Sequence, residues 1–135
     1  MPILIKDNIV TLDQMSATAG SFALLGAKTA EESSVAKRLR AAGAILLGKA
    51  NMTEWANFRW DNSGSGWSPR GGQCTGPYYP NMNASGSSTG SAVSTALGLT
   101  FAALGTEVRS CAGFSSSLST SNTTNHWCHR LMAAY

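Results

Sequence analysis

Two segments far apart in the chain carry residue types that could do chemistry together. Lys6 ends the apolar run Ile3-Leu4-Ile5, and Ser85-Gly86-Ser87-Ser88-Thr89-Gly90-Ser91-Ala92 is a serine-dense, glycine-rich loop leading into a helix of small residues. A serine hydroxyl is a weak nucleophile until a neighbouring base takes its proton. A lysine amine can be that base when burial holds it neutral, because desolvation works against the ammonium form. A loop pinned at the start of a buried helix presents backbone amides and the positive end of the helix dipole, which suits an oxyanion or a polarised hydroxyl. Together the two segments point to lysine-activated serine chemistry. Other readings stand beside it. As a phosphate cradle the loop lacks the Gly-Lys-Ser/Thr of a P-loop, and a plain linker would not run at once into an uncharged helix. Lys6 reads equally as a base or as a lysine capping a strand end in solvent. Histidine catalysis has weak support, since His126 and His129 both lie in an unpatterned stretch.

The elements that must position these residues follow from local pattern. Residues 3–5, directly after Pro2, read as a short buried strand ending at Lys6, an early start for a central strand. Residues 11–28 are mixed, with Gly20 and Gly26 as breakers around Phe22-Ala23-Leu24-Leu25. Thr29-x-x-Glu32 has the spacing of a capping box and predicts a helix after it. That helix has Val35, Ala36, Leu39 and Ala42 on one face, Lys37, Arg38 and Arg40 largely off it, and Gly43 as its stop. Residues 44–47 read as a second buried strand ended by Gly48 and parallel to the first, a βαβ unit that makes the fold class α/β. Residues 51–57 predict a short helix carrying Glu54 and Trp55. Residues 58–86 form a long irregular segment, of a length usually functional or covered by other parts of a protein. Residues 91–99 are almost uncharged and predict a helix buried all round. Residues 100–104 read as a third strand, turning at Gly105-Thr106. After Glu107 the periodicity vanishes, and residues 115–125 are almost entirely Ser, Thr and Asn. That tail reads as low-complexity or disordered sequence, or as a different reading frame.

Composition narrows the function classes. A chain of 135 residues is one domain at most and can bury a single core. Only 13% of the residues are charged, about half the usual share, which fits a piece of a larger, well-buried protein. The net charge of +3 is too mild to argue for nucleic acid or membrane surfaces as partners. Cys74, Cys111 and Cys128 are odd in number and too sparse for a disulfide framework. His126, Cys128 and His129 crowd together without a second half of a metal site, so no cofactor is expected. The first residues lack the pattern of a signal peptide, and no apolar stretch approaches the ~20 residues of a membrane span. A cytoplasmic location is the default expectation, and the sequons at Asn51, Asn83 and Asn122 carry little weight without a secretion signal.

Five segments in order resemble the amidase signature family. They are Pro2-Ile-Leu-Ile-Lys-Asp-Asn8, Gly43-Ala-Ile-Leu-Leu-Gly-Lys-Ala-Asn51, Glu54-Trp55, Gly86-Ser-Ser-Thr-Gly-Ser-Ala92 and Leu104-Gly-Thr-Glu107. The family includes fatty acid amide hydrolase, peptide amidases and the A subunit of glutamyl-tRNA amidotransferase. The run from Asn51 to Arg59 looks most like its fungal and bacterial amidase branch. The resemblance covers residues 1 to about 107 and implies a mixed sheet flanked by helices. It also implies a Ser–cis-Ser–Lys triad hydrolysing the C–N bond of small carboxylic amides. Lys6 matches the base. Ser87 matches the bridging serine, preceded by a cis peptide bond, that relays a proton between lysine and nucleophile. Cys111 occupies the nucleophile's place, 24 positions after Ser87, where the family has serine. The backbone amides of Val108, Arg109 and Ser110 fall where the oxyanion hole forms.

The same alignment of motifs exposes departures. Thr89 stands where glycine is usual, which would strain the turn, and Arg109 and Ser110 replace residues whose backbone needs unusual angles. The expectation is an impaired amidase, truncated at both ends relative to a family whose members are several times longer. Residues 1–107 would then be a partial amidase domain and 108–135 a divergent tail, with uncovered apolar faces and poor solubility. A catalytically inactive fragment is the alternative, and an amidotransferase A-type subunit a weaker one. A slip of reading frame near residue 107 would join the broken motif to the odd tail. Codons GAG-GTT-CGC for Glu107-Val108-Arg109 would read GGT-TCG, Gly-Ser, from one base earlier. The expected result of sequencing the transcript across codons 104–115 is a frame that departs from this tail; an in-frame transcript encoding it overturns the idea.

Overall fold

The computed structural model describes residues 1–58 and 64–106. Strand β1 (Pro2–Lys6) lies at the centre of a three-stranded parallel sheet, between β2 (Ile45–Ala50) and β5 (Ala102–Leu104). The fold is α/β, as the alternation of strand and helix patterns predicts. Helix α1 (Ser34–Ala41) lies between β1 and β2 in the chain, and α2 (Thr89–Ala96) precedes β5. A short antiparallel ribbon, β3 (Trp67–Ser68) with β4 (Gly72–Gln73), gives structure to the segment read as irregular loop. A further bridge joins Thr75 to Asn83.

Side chains on a strand alternate between two faces, so β1 divides its residues between two jobs. Ile3 and Ile5 join Ile9 and Leu104 in the core, with Val35 and Leu39 of α1, Leu46 and Ala102 packed around them. Leu4 and Lys6 point the other way. The β1–β2 register pairs Ile3 with Leu46 but Leu4 with Gly48, so Leu47 is an extra, bulged residue. One inserted residue flips the faces of everything after it. Leu46 and Lys49 therefore share the core side, where Lys49 Nζ donates to the Ile9 carbonyl and burial pushes its ammonium below the usual lysine range. The strand expected to stop at Gly48 runs on to Ala50, because Gly48 takes the place opposite Leu4 without crowding it. Ile45 and Leu47, expected to be buried, are exposed at 61% and 51%.

The helices also differ from their sequence patterns in informative ways. Helix α1 starts at Ser34, capped by Ser33, whose Oγ accepts from the Ala36 amide at 3.2 Å. Glu32 does not close a capping box with Thr29; it accepts from Arg40 Nε at 3.2 Å, beside the Arg40–Asp13 ion pair. Ala42 is the exposed C-cap rather than part of the buried stripe. Helix α2 begins at Thr89 and is not buried all round: Thr89, Ser91 and Ser94 are buried, while Leu97 and Leu99 beyond its end are exposed. Its hydroxyl-bearing side is the buried one because each hydroxyl has a carbonyl to meet. Ser91 Oγ donates to Leu104 O at 2.8 Å, and Ser94 Oγ to Ser91 O at 3.0 Å. The segment after β2 forms one tight turn, Glu54–Asn57, with left-handed backbone at Trp55, Ala56 and Asn57 rather than a regular helix.

Because Ile5 is fully buried between α1 and the sheet, Ile5→Ala is expected to lower stability by about 2–5 kcal/mol. Ile45→Ala, at an exposed position, is expected to change it by less than about 0.5 kcal/mol. Urea midpoints of the two variants against the parent test the contrast.

Candidate active site

Lys6 arrives at the site fully buried, carried by a strand whose neighbours on either side pair with it. The ladder continues one residue beyond it, with the Asp7 amide donating to Ala50 O at 3.0 Å. The Lys6 carbonyl accepts from the Ile9 amide at 2.9 Å, turning the chain sharply after the lysine. Its Nζ donates to Ser87 Oγ at 2.8 Å and to the Thr106 carbonyl at 3.2 Å. Ser87 is itself only 4% exposed. The two residues singled out from the sequence, 81 positions apart, thus meet in a buried hydrogen bond, and the reading of Lys6 as a solvated strand cap falls.

The serine loop is held on every side by backbone. The Gly86–Ser87 peptide bond is cis, as the family resemblance implied. The Ser87 carbonyl accepts from the Thr53 amide at 3.0 Å, and Thr53 Oγ1 accepts from the Gly66 amide at 2.9 Å. A Cβ at Gly86 would come within 2.6 Å of that same Thr53 Oγ1, so only glycine allows the approach. Gly90 is equally confined: its amide donates to Asn51 O at 2.9 Å, and a Cβ there would lie 2.5 Å from Asn51 backbone atoms. Thr89 fits the turn it was expected to strain. Its buried hydroxyl donates to Ser85 O at 2.6 Å, across the cis bond.

Thr106 ties the third segment in. Ser88 Oγ donates to the Thr106 carbonyl and accepts from its amide, both at 3.2 Å, and Asn8 Nδ2 donates to Thr106 Oγ1 at 3.0 Å. The buried Asn8 Oδ1 finds no partner among the described residues. Thr53, Thr106 and Asn8 were not singled out from the sequence as site residues. The signals for them were weak: each is a polar residue two or three positions past the end of a strand. Val108, Arg109, Ser110 and Cys111 lie outside the described residues. The Cys74 amide donates to Gly66 O at 3.0 Å, and burial pushes its thiol up, which disfavours the thiolate a nucleophile needs.

A lysine amine in contact with a buried serine hydroxyl is arranged to pass a proton between them. Among the described residues there is no group of three or more His, Cys, Asp or Glu side chains that could hold a metal ion, and no helix long and apolar enough to cross a membrane.

The sequence model of the family described as Amidase matches residues 1–110. A putative amidase of Arthroderma benhamiae is 54% identical over 107 residues, 79% of this chain and 18% of that protein. A probable amidase of Arabidopsis thaliana is 51% identical over 107 residues, 79% of this chain and 21% of that protein. The crystal structure of native peptide amidase from Stenotrophomonas maltophilia superposes with a TM-score of 0.72 at 48% identity, covering 76% of this chain and 21% of that one. The chain spans about a fifth of the length of the relatives it matches. A family match over residues 1–110, most of its length, makes this chain a member of the amidase family.

Proposed function

We propose that the chain is an impaired hydrolase of small carboxylic amides, in which Lys6 is the base, Ser87 the relay and Cys111 the nucleophile. The observation that carries the reading is the 2.8 Å contact of Lys6 Nζ with Ser87 Oγ, both out of solvent. In the reaction, neutral Lys6 takes the Ser87 hydroxyl proton as Ser87 takes the proton of the Cys111 thiol. The thiolate attacks the carbonyl carbon, and the backbone amides of Val108, Arg109 and Ser110 meet the oxyanion. The C–N bond breaks as the proton returns to the departing nitrogen, and water then hydrolyses the thioester to release the acid and restore the thiol. Residues 1–107 supply Lys6 and Ser87 as a partial amidase domain, and Cys111 with the amides of residues 108–110 falls in the divergent tail, 108–135.

The impairment is argued from side chains. Arg109 and Ser110 stand where a glycine-rich turn would bring amides to the oxyanion, and both resist the backbone angles glycine allows. Those same substitutions favour the second reading, a catalytically inactive copy.

Slow release of ammonia or amine from simple amides, including a C-terminally amidated dipeptide, is the expected result with folded protein. Lys6→Ala and Ser87→Ala are each expected to reduce that rate at least about 100-fold. No release from folded protein, and none altered by Lys6→Ala, leaves the inactive reading standing. Under the hydrolase reading, the paired replacement Arg109→Gly with Ser110→Gly is expected to raise kcat by about 10-fold or more; a rate unchanged or lowered by it removes the oxyanion account of the impairment.

A further inference from the structure

The residue after the lysine has no part in the proton relay, yet its carboxylate is the most heavily bonded side chain near the site. Asp7 is buried, and its Oδ2 accepts from the Thr18 amide at 3.2 Å, the Thr18 hydroxyl at 2.6 Å and the Gly20 amide at 2.8 Å. Ala19 and Gly20 are both left-handed, at φ 51 and φ 76, so the backbone curls around the oxygen and aims its amides inward. On the other side, Arg70 Nη1 lies 3.7 Å from Asp7 Oδ1 and donates to Thr18 Oγ1 at 3.1 Å. The curl in turn holds the next element. Ala19 O accepts from the Trp55 amide at 2.9 Å, at the start of the left-handed turn. A Cβ at Gly20 would sit 2.9 Å from Ser68 Cβ and 3.3 Å from Glu54 Cα, so the loop is wedged between that turn and the β3–β4 ribbon. The turn follows directly on Thr53, whose amide holds the Ser87 carbonyl.

We propose that Asp7 is a positioning residue: its carboxylate ties the end of the lysine strand, through residues 18–20 and the Trp55 turn, to the segment that holds Ser87. Two routes then join Lys6 to Ser87, one through their own hydrogen bond and one through this chain of backbone contacts. The second route sets where the first can form. The inference deepens the hydrolase reading and rests on it for any effect on turnover, but the coupling it asserts can be observed without turnover.

The test compares Asp7→Asn with the parent chain, both carrying 13C-labelled lysine. Asparagine keeps an acceptor for the Thr18 and Gly20 amides but turns an amide toward Arg70 and weakens the ion-paired nest. The expected result is that the Lys6 Cε resonance moves toward those of the exposed Lys28 and Lys37. Hydrogen exchange at the Trp55 amide should quicken by at least about tenfold, while the Ile5 amide keeps its protection. If Asp7→Asn does not fold, Arg70→Gln carries the same comparison, with a smaller shift in the same direction expected. A Lys6 resonance and Trp55 exchange unchanged in a folded variant overturn the proposal, whether or not the chain hydrolyses amides. If the parent chain is active, kcat should fall about tenfold in Asp7→Asn while KM stays within about twofold. An equal rise in KM with kcat unchanged would also overturn it. Absence of turnover in the parent, with the resonance and exchange changes present, removes the hydrolase reading and leaves the coupling supported.

Discussion

A strand can turn only every second side chain to the same side, and the whole site depends on how β1 spends that alternation. Ile3 and Ile5 must go inward, since they join Ile9, Leu104 and the apolar face of α1 in the core. Lys6 is thereby committed to the opposite face, toward the serine loop. A shift of one residue would bury the ammonium against leucine and isoleucine and turn the isoleucines toward the loop. The core therefore does more than stabilise: it is the reason that the lysine points where it does. The bulge at Leu47 applies the same rule to the neighbouring strand, bringing Lys49 to the core side that Leu46 already occupies.

Around that fixed lysine the chain is built from hydroxyls and glycines rather than from large apolar residues. Thr53, Thr89, Ser91 and Ser94 are buried, and three of their hydroxyls donate to carbonyls, those of Ser85, Leu104 and Ser91. Each such bond adds about 0.5–1.5 kcal/mol net, but its larger effect is that these three buried hydroxyls are not left to favour another arrangement. Gly86 and Gly90 let backbone come within reach of backbone, where any side chain would hold it off. The loop that carries Ser87 is thus rigid for a local reason, independent of the sheet.

Much of this was legible in the residues. The Ile3-Leu4-Ile5 run and the small-residue helix predicted the strand and helix that frame the site, and motif order brought Lys6 to Ser87. Element ends were less legible. Thr29 and Ser33 both offer a helix cap, and nothing local to Thr29 discloses that Glu32 will be claimed by Arg40, eight residues on. Gly48 reads as a strand stop until its partner across the sheet, Leu4, is known. The uncharged helix α2 reads as buried on all sides because its serines count as neither apolar nor charged. Only the carbonyls of Ser85, Leu104 and Ser91 reveal which side is covered. Thr106 and Thr53 were hard to see for a related reason: their bonds to Ser88, Lys6 and Ser87 run through backbone groups, which every residue has, and their hydroxyls meet partners far away in the sequence.

The parallel sheet has a temporal side as well. Ile3 pairs with Leu46 on one edge and with Ala102 on the other, so the central strand is the first made and its second neighbour arrives about a hundred residues later. At roughly 5–20 residues per second on the ribosome, that edge of β1 waits on the order of 5–20 s for β5. Parallel pairing across such a span is slow to find even when both strands are present. Until Ser87 emerges, shortly before β5, the nascent lysine strand has an unpaired edge, an apolar face and no hydroxyl to receive its side chain, a state that a chaperone could shield.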